Sequence, residues 1–387
     1  MLDTWWISES DLDDDQKQIV AELDPDTSQL IVGPPGSGKT NLLLLIANHL
    51  TLLNRKNIMV VVFTRTLQDF IRSGSTHYDF NAQKIMTHRR WQQQFLFDND
   101  VRVKPPSEKF EEQRDFYTDQ ICSIIEKKNF EDIYEAILLD EVQDYTPDEI
   151  KIFHRLGKTV FLTGDSRQQI YAGSDSIQTA KNLVQLESKL NYHYRIGKNI
   201  CLFADALAKD SSQYEPLINS SKYDENARPS TVENQKCSGT ADESACIIKR
   251  LDIQMKAYPH ERLAVISPTR EGLEDLLEPI KKSHLADMLS VQADGEVISF
   301  SPETPIIACT IHAAKGLEFR AVHVASCELL HKFGLNRNMI YTASTRAKTS
   351  LSLYYSDSIH AYLEQALCVL EPPPKKPTLG RILGSKK

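Results

Sequence analysis

The sequence predicts an α/β fold with parallel sheets, and three observations carry that reading. Short apolar runs rich in β-branched residues recur along the chain, helical stretches separate them, and no repeat with a period of about 20–50 residues is present, which excludes a solenoid or propeller. The expected strands are Leu30–Val32, Met59–Phe63, Ala136–Leu139, Val160–Thr163, Leu263–Ser267, Ile306–Thr310, Ala321–Ala325 and Leu351–Tyr355. They are apolar throughout rather than alternating, as strands covered on both faces must be. At roughly 150 residues per domain, the 387 residues have room for two such sheets.

Composition narrows the function. Hydrophobic residues make up 41% and charged residues 25%, the balance of a globular protein and not of a disordered chain. The longest purely apolar run, Leu42 to Ala47, is far short of the ~20 residues that span a bilayer. The acidic start MLDTWWISESDLDDD has no basic region followed by an apolar one, so no signal peptide is expected. Seven cysteines without a CxxC pair read as reduced thiols in the cytoplasm, with no structural zinc. A net charge of −8 excludes a globally basic nucleic-acid binder but leaves room for a local basic groove.

Three segments break the strand–helix rhythm. Residues 72–132 are rich in Gln, Lys, Arg and aromatics and read as helices with loops. Residues 209–240, rich in Ser, Asn and Asp, read as a surface loop or linker. The stretch EPPPKKPTLGRILGSKK from Glu371 is Pro-rich and then basic, and reads as a flexible solubilising tail.

Chemistry enters at Gly33-Pro34-Pro35-Gly36-Ser37-Gly38-Lys39-Thr40, directly after the strand QLIV and before the apolar helix NLLLLIANHL. This strand–loop–helix context is what a P-loop needs. Its glycines let backbone N–H groups face a polyphosphate, and the helix terminus adds partial positive charge. Lys39 is the side chain for the β- and γ-phosphates, and the Thr40 hydroxyl is an Mg²⁺ ligand. The strand Ala136–Leu139 ends in Asp140 and Glu141. Asp140 is the second Mg²⁺ partner, and Glu141 is placed to orient and deprotonate an attacking water. No NKxD sequence occurs, so the expected nucleotide is ATP and not GTP.

Taken in order, the motifs resemble those of superfamily 1 helicases of the UvrD/Rep/PcrA type, from about residue 12 to 350. LDDDQ, residues 12–16, resembles the family's Q motif, which implies that Gln16 reads the adenine edge. VVVFTRT and IMTHRRW resemble its nucleic-acid motifs, which puts Phe63, Thr64, Thr87 and His88 beside a single strand, while Trp91 reads either as a further stacking residue or as a helix residue packed under a loop. LLDEVQDYTP resembles motif II, and LTGDSRQQIY resembles motif III, whose γ-phosphate sensor falls on Gln168. LNYHYRIGKNI resembles motif IV and makes Arg195 a candidate arginine finger. TIHAAKGLEF resembles motif V, with Gly316 and Glu318 against ribose and phosphate and His312 near nucleic acid. YTASTRAKTSLSLYYS resembles motif VI, with Arg346 as the second finger.

The resemblance implies two RecA-like P-loop domains, 1–175 and 176–370, with ATP in the cleft between them and a flexible tail over 371–387. It also implies an ATP- and Mg²⁺-dependent helicase or translocase moving 3′→5′ on single-stranded nucleic acid, most naturally DNA. Two departures stand out. The large subdomains that interrupt both domains in the family shrink here to the helical stretch 72–132 and to about 25 residues before motif V, which suit a hairpin. The aromatic that usually follows motif III is missing from Tyr171-Ala-Gly-Ser-Asp175, and such a platform is worth about 1–3 kcal/mol per stacked base. Short chains of this kind also resemble helicase-like subunits of Gabija-type phage-defence systems. That implies a second reading, a regulatory ATPase switching a partner such as a nuclease or another defence or repair subunit. Either reading leaves missing surface for a partner protein or self-association to supply.

Overall fold

The structure, a computed structural model, describes residues 12–73, 79–170, 175–208, 215–291 and 303–370. The Trp5–Trp6 pair, Tyr171 to Ser174, part of the expected hairpin (292–302) and the tail from Glu371 lie outside them.

The described residues form two six-stranded sheets in which every pairing is parallel. The first contains β1 (Gln29–Val32), β2 (Ile58–Val62), β3 (Ile85–Thr87), β4 (Ala136–Leu139), β5 (Val160–Gly164) and β6 (Leu186–Lys189). The second contains β7 (Thr231–Lys236), β8 (Leu263–Ser267), β9 (Leu289–Val291), β10 (Ile306–Thr310), β11 (Phe319–Val324) and β12 (Ala347–Tyr355). The orders are β3-β2-β4-β5-β1-β6 and β7-β12-β11-β8-β10-β9. Alternate residues of each central strand enter different cores. Leu30, Met59, Val61, Ile137 and Leu139 pack on one face of the first sheet, and Ile31, Val60, Val62, Ala136 and Leu138 on the other. The second sheet repeats this, with Ala264 and Ile266 on one face and Leu263 and Val265 on the other. These are the two RecA-like layers that the apolar runs predict.

All eight expected strands are present, and four further ones were not expected. Those four, β3, β6, β7 and β9, are the outer strands of the two sheets. An edge strand has one hydrogen-bonded neighbour and thin cover, so its residues need not be apolar. Most of the residues of β6 (LESK) and β7 (TVENQK) are exposed. Two readings are corrected as a result. The segment 209–240 is not only a loop, because it contributes the helix Leu217–Ser220 and β7. The segment 72–132 holds β3 as well as the helices His88–Asp98 and Phe110–Lys128. Of the stretch before motif V, β9 pairs parallel with β10, and the rest of the expected hairpin, 292–302, lies outside the described residues. The first sheet also runs past the expected division at residue 175, since β6 pairs with β1. No helix among the described residues is long and apolar enough to cross a membrane.

Candidate active site at the cleft between the sheets

Sheet order assembles the first half of the site. β4, β5 and β1 are neighbours, so the loops at their carboxyl ends lie side by side, where parallel α/β sheets place their ligands. The P-loop leaves β1 and enters the helix Lys39–Leu52 through Gly38, whose φ of 83° only glycine adopts without strain. The first N–H groups of that helix have no intrahelical acceptor and face the loop. The Ser37 hydroxyl is buried there with no hydrogen-bond partner among the described residues, a donor suited to a phosphate oxygen. Lys39 is buried and donates from Nζ to the carbonyls of Gly33 (2.9 Å) and Pro34 (3.0 Å). Burial pushes its pKa down. Gln16 braces the loop from behind, donating to Ser37 O at 2.8 Å while its own oxygen accepts from Asp13 N. Both ends of its amide are therefore engaged within the protein.

Asp140 is fully buried at the end of β4. Its Oδ2 accepts from Thr40 Oγ1 at 2.7 Å and its Oδ1 from Thr163 Oγ1 at 2.6 Å. Burial and the neighbouring Glu141 push its pKa up. A hydroxyl and a carboxylate in contact beside a phosphate loop are a donor set suited to Mg²⁺. Glu141 has a positive φ of 55°, a strained conformation for a side-chain-bearing residue that is common at functional sites. Its Oε2 accepts from Gln143 Nε2 at 2.5 Å.

The second sheet contributes cations across the cleft. Arg346, immediately before β12, is buried and donates to Gln168 Oε1, while its Nε and Nη1 hold Thr342 O (3.1 Å) and Leu317 O (3.2 Å). Lys315, between β10 and β11, is 1% exposed. Its Nζ pairs with Asp144, donates to Gln168 O at 2.6 Å and lies 3.9 Å from Glu141. Burial works against the Glu141 carboxylate, but Lys315, Lys39 and Arg346 hold its pKa below the ordinary value. Asp144 goes the other way, pushed up to about 6 by burial despite Lys315. Gly316 has a φ of 81°, and a Cβ there would meet Leu67 of the first half at 2.7 Å. Asn338 Nδ2 adds a bond to Gln169 O at 2.8 Å. Arg195 stands at the rim, with Nη1 at 2.5 Å from Glu318.

Lys39, Thr40, Asp140, Glu141, Gln168, Arg195, Gly316, Glu318 and Arg346 therefore line or border one cleft. Lys315 and Asp144 were missed as site residues, although both lie inside the quoted motifs. The signal available was a lone lysine in the otherwise uncharged stretch TIHAAKG.

Several nucleic-acid residues are placed differently from expectation. His88 is buried between Phe63, Tyr145 and Trp91, and burial pushes its pKa down to about 4. It is a neutral core residue and cannot meet a phosphate backbone as the structure stands. Trp91 is 2% exposed against Phe153, with ring centroids 4.3 Å apart, so it is no stacking platform either. Both lie in the helix His88–Asp98, whose apolar side covers the first sheet. Thr87 caps that helix, accepting from Arg90 N at 3.2 Å. Thr64 accepts from Leu67 N and lies 3.5 Å from Lys315 O. Phe63 and His312 stay partly accessible, with His312 packed 5.9 Å from Phe333.

A P-loop closed over by cations from a second parallel α/β layer defines a two-domain, RecA-like P-loop NTPase. Residues 16–174 match an AAA domain family, and residues 305–354 match the UvrD-like helicase C-terminal domain family. The chain thus carries an AAA-type domain in its first half and, over residues 305–354, a segment similar to the C-terminal domain of UvrD-like helicases. Among curated proteins none matches it. Among solved structures it is similar to the C-terminal domain of a possible DNA helicase from Lactobacillus plantarum WCFS1, at 19% identity over 45% of this chain and 93% of that one, with a TM-score of 0.32. It is also similar to Arterivirus nonstructural protein 10, a helicase (16% identity, 91% of this chain and 63% of that one, TM-score 0.41). The PRRSV helicase gives 16% identity over 88% of this chain and 54% of that one, with a TM-score of 0.41. The chain thus spans less than two thirds of either viral helicase.

Proposed function

We propose that this chain couples ATP hydrolysis to movement along single-stranded DNA, in the 3′→5′ sense its motifs suggest. The observation that carries the reading is the junction at Gln168. The first half's Gln168 takes Arg346 on its side chain and Lys315 on its carbonyl, both from the second half. Closure of the cleft and completion of the catalytic set are therefore one event.

In this reading the P-loop N–H groups, Ser37 and Lys39 bind the phosphates. Mg²⁺, held by Thr40 and Asp140, would neutralise the β- and γ-phosphate charge. Glu141, kept ionised by the cations around it, orients water and takes its proton. Arg346 and Arg195 deliver positive charge where it develops in the transition state. Lys315 reports on closure, since it reaches Asp144 and approaches Glu141 only when the halves meet.

The test is the ATPase rate of the purified chain with and without a single-stranded DNA oligonucleotide. Many-fold stimulation is expected. A rate that ignores DNA and rises only with a partner protein would favour a regulatory switch. The short insertions bear on unwinding, because opening duplex DNA must offset about 1.4 kcal/mol per base-pair step and needs a grip on the duplex. A partner or a second copy is expected to supply it.

A further inference from the structure

Gln16 is the third residue of the helix Asp14–Ala21, and with the N-cap Asp13 it closes a capping box. The Asp13 carboxylate accepts from Gln16 N at 2.7 Å, and the Gln16 side-chain oxygen accepts in return from Asp13 N at 3.1 Å. The amide nitrogen crosses to the P-loop and donates to Ser37 O at 2.8 Å. Asp15 pins the same turn from another side, its Oδ2 accepting from Asn191 N (3.2 Å) and Nδ2 (2.9 Å).

Ser37 O is a point where such a bond matters. Gly36 and Gly38, on either side, both take left-handed φ, 73° and 83°. Glycine reaches those angles freely but has no side chain to hold it there. Hydrogen bonds therefore set the peptides between them: Ser37 N donates to Pro34 O at 3.3 Å, and Ser37 O accepts from Gln16. Gln16 is 3% exposed and is not among the residues lining the cavity at the P-loop, whereas Gly36, Gly38, Lys39 and Thr40 are. To meet a base edge its amide would have to leave Asp13 N and Ser37 O, and a buried polar group left without its partner opposes that exchange. The side chain that matches adenine N6 and N7 as a fork is an amide. Of the two amides on the cavity wall, Gln168 is taken by Arg346, and Asn41 is buried in the first turn of the helix that follows the P-loop.

We propose that Gln16 is a positioning residue for the P-loop and not a reader of the base, so that the site takes nucleoside triphosphates as a class, purine or pyrimidine. The inference rests on the nucleotide reading above and widens its substrate. Phosphate oxygens meet the N–H groups of the loop, and Gln16 keeps those groups in line through Ser37.

The experiment compares kcat/KM of the full chain for ATP, GTP, CTP and UTP, alongside calorimetric binding of ADP, GDP, CDP, UDP and inorganic tripolyphosphate. The four triphosphates are expected to fall within about tenfold of one another, whereas a site built to hydrogen-bond one base would separate them by about 10⁴-fold. A wider preference for ATP would overturn the proposal, whether or not Gln16→Ala removed it. Gln16→Glu keeps the acceptor for Asp13 N and removes the donor to Ser37 O. It should lower kcat/KM for all four nucleotides by a common factor of about three to ten, and tripolyphosphate affinity with it. A loss confined to ATP would make Gln16 an adenine reader. Unchanged tripolyphosphate affinity, with or without a lower unfolding temperature, would make it a contact of the fold only. Either result overturns the positioning role. The comparison of nucleotides on the unaltered chain stands even if a substitution prevents folding. A chain that hydrolyses no nucleotide would defeat the proposed function, while the diphosphate affinities would still decide whether the base is read.

Discussion

The two halves of the cleft solve different electrostatic problems. In the first half, the groups that meet a nucleotide are already paired with one another: Lys39 with loop carbonyls, Thr40 with Asp140, Glu141 with Gln143. In the second half, Arg346 and Lys315 find acceptors on the first half, at Gln168 and Asp144. The first half is thus a cradle complete in itself, whereas Lys315 and one nitrogen of Arg346 find their partners only across the cleft. A buried charge that loses its partner is expensive, so the second half's pairs make the closed cleft a distinct state.

The largest effects should come from the cradle. Lys39→Ala is expected to abolish hydrolysis by removing the main phosphate cation, and Glu141→Gln to bind ATP but trap it, as read by ATPase rate and nucleotide retention. Near wild-type turnover by Glu141→Gln would mean that water is activated elsewhere.

Next come the cations of the other half. Arg346→Ala and Arg195→Ala should lower kcat by about 10²–10⁴-fold with much smaller changes in ATP affinity, because charge delivered at the transition state acts on turnover. A loss confined to affinity would make these residues ordinary binding contacts and erase the contrast between the halves.

Lys315 tests the joint itself. Lys315→Met leaves Asp144 buried without its counter-charge and should destabilise the protein by about 3–5 kcal/mol. Adding Asp144→Asn should recover much of the loss. Chemical denaturation of the two single variants and the double variant gives the coupling; additive losses would show that the pair does not join the halves.

Acid should weaken the region beyond β6 more than the first sheet. Burial holds His193 and His312 near about 4 and His323 near about 3, whereas His88 is the counterpart in the first sheet. Each folded value lies below the unfolded value of about 6.5, so unfolding takes up protons. The stability each one contributes is complete above about pH 6.5 and is lost as pH falls, at up to about 1.4 kcal/mol per pH unit for each histidine. Asp144 and Glu243, raised by burial to about 6 and about 7, act in the opposite sense and offset part of this. The unfolding temperature should still drop from pH 7 to pH 5, and a flat profile would contradict the buried, neutral assignment.

The smallest effect is expected at Trp91. Trp91→Phe should cost about 1 kcal/mol as a packing change and leave single-strand affinity unaltered in a fluorescence titration. A marked loss of affinity would return Trp91 to the nucleic-acid face.

What the sequence by itself determined follows burial and covalent adjacency. The eight inner strands were legible because a strand covered on both faces must be apolar along its length. The P-loop, Asp140 and Glu141 were legible because their chemistry depends on residues next to each other in the chain. The four outer strands were not legible: β6 and β7 are polar because solvent reaches them, and only hydrogen bonding to β1 and β12 makes them strands. His88 looked like a surface group in a basic stretch and Trp91 could be read either way, yet helix direction turned both inward against Phe153. Lys315 stands 171 residues from Asp144, and Arg320 shares Glu261 with Arg228. Local pattern encodes none of these pairings, because the partner's position is set by how the two sheets pack and not by distance along the chain.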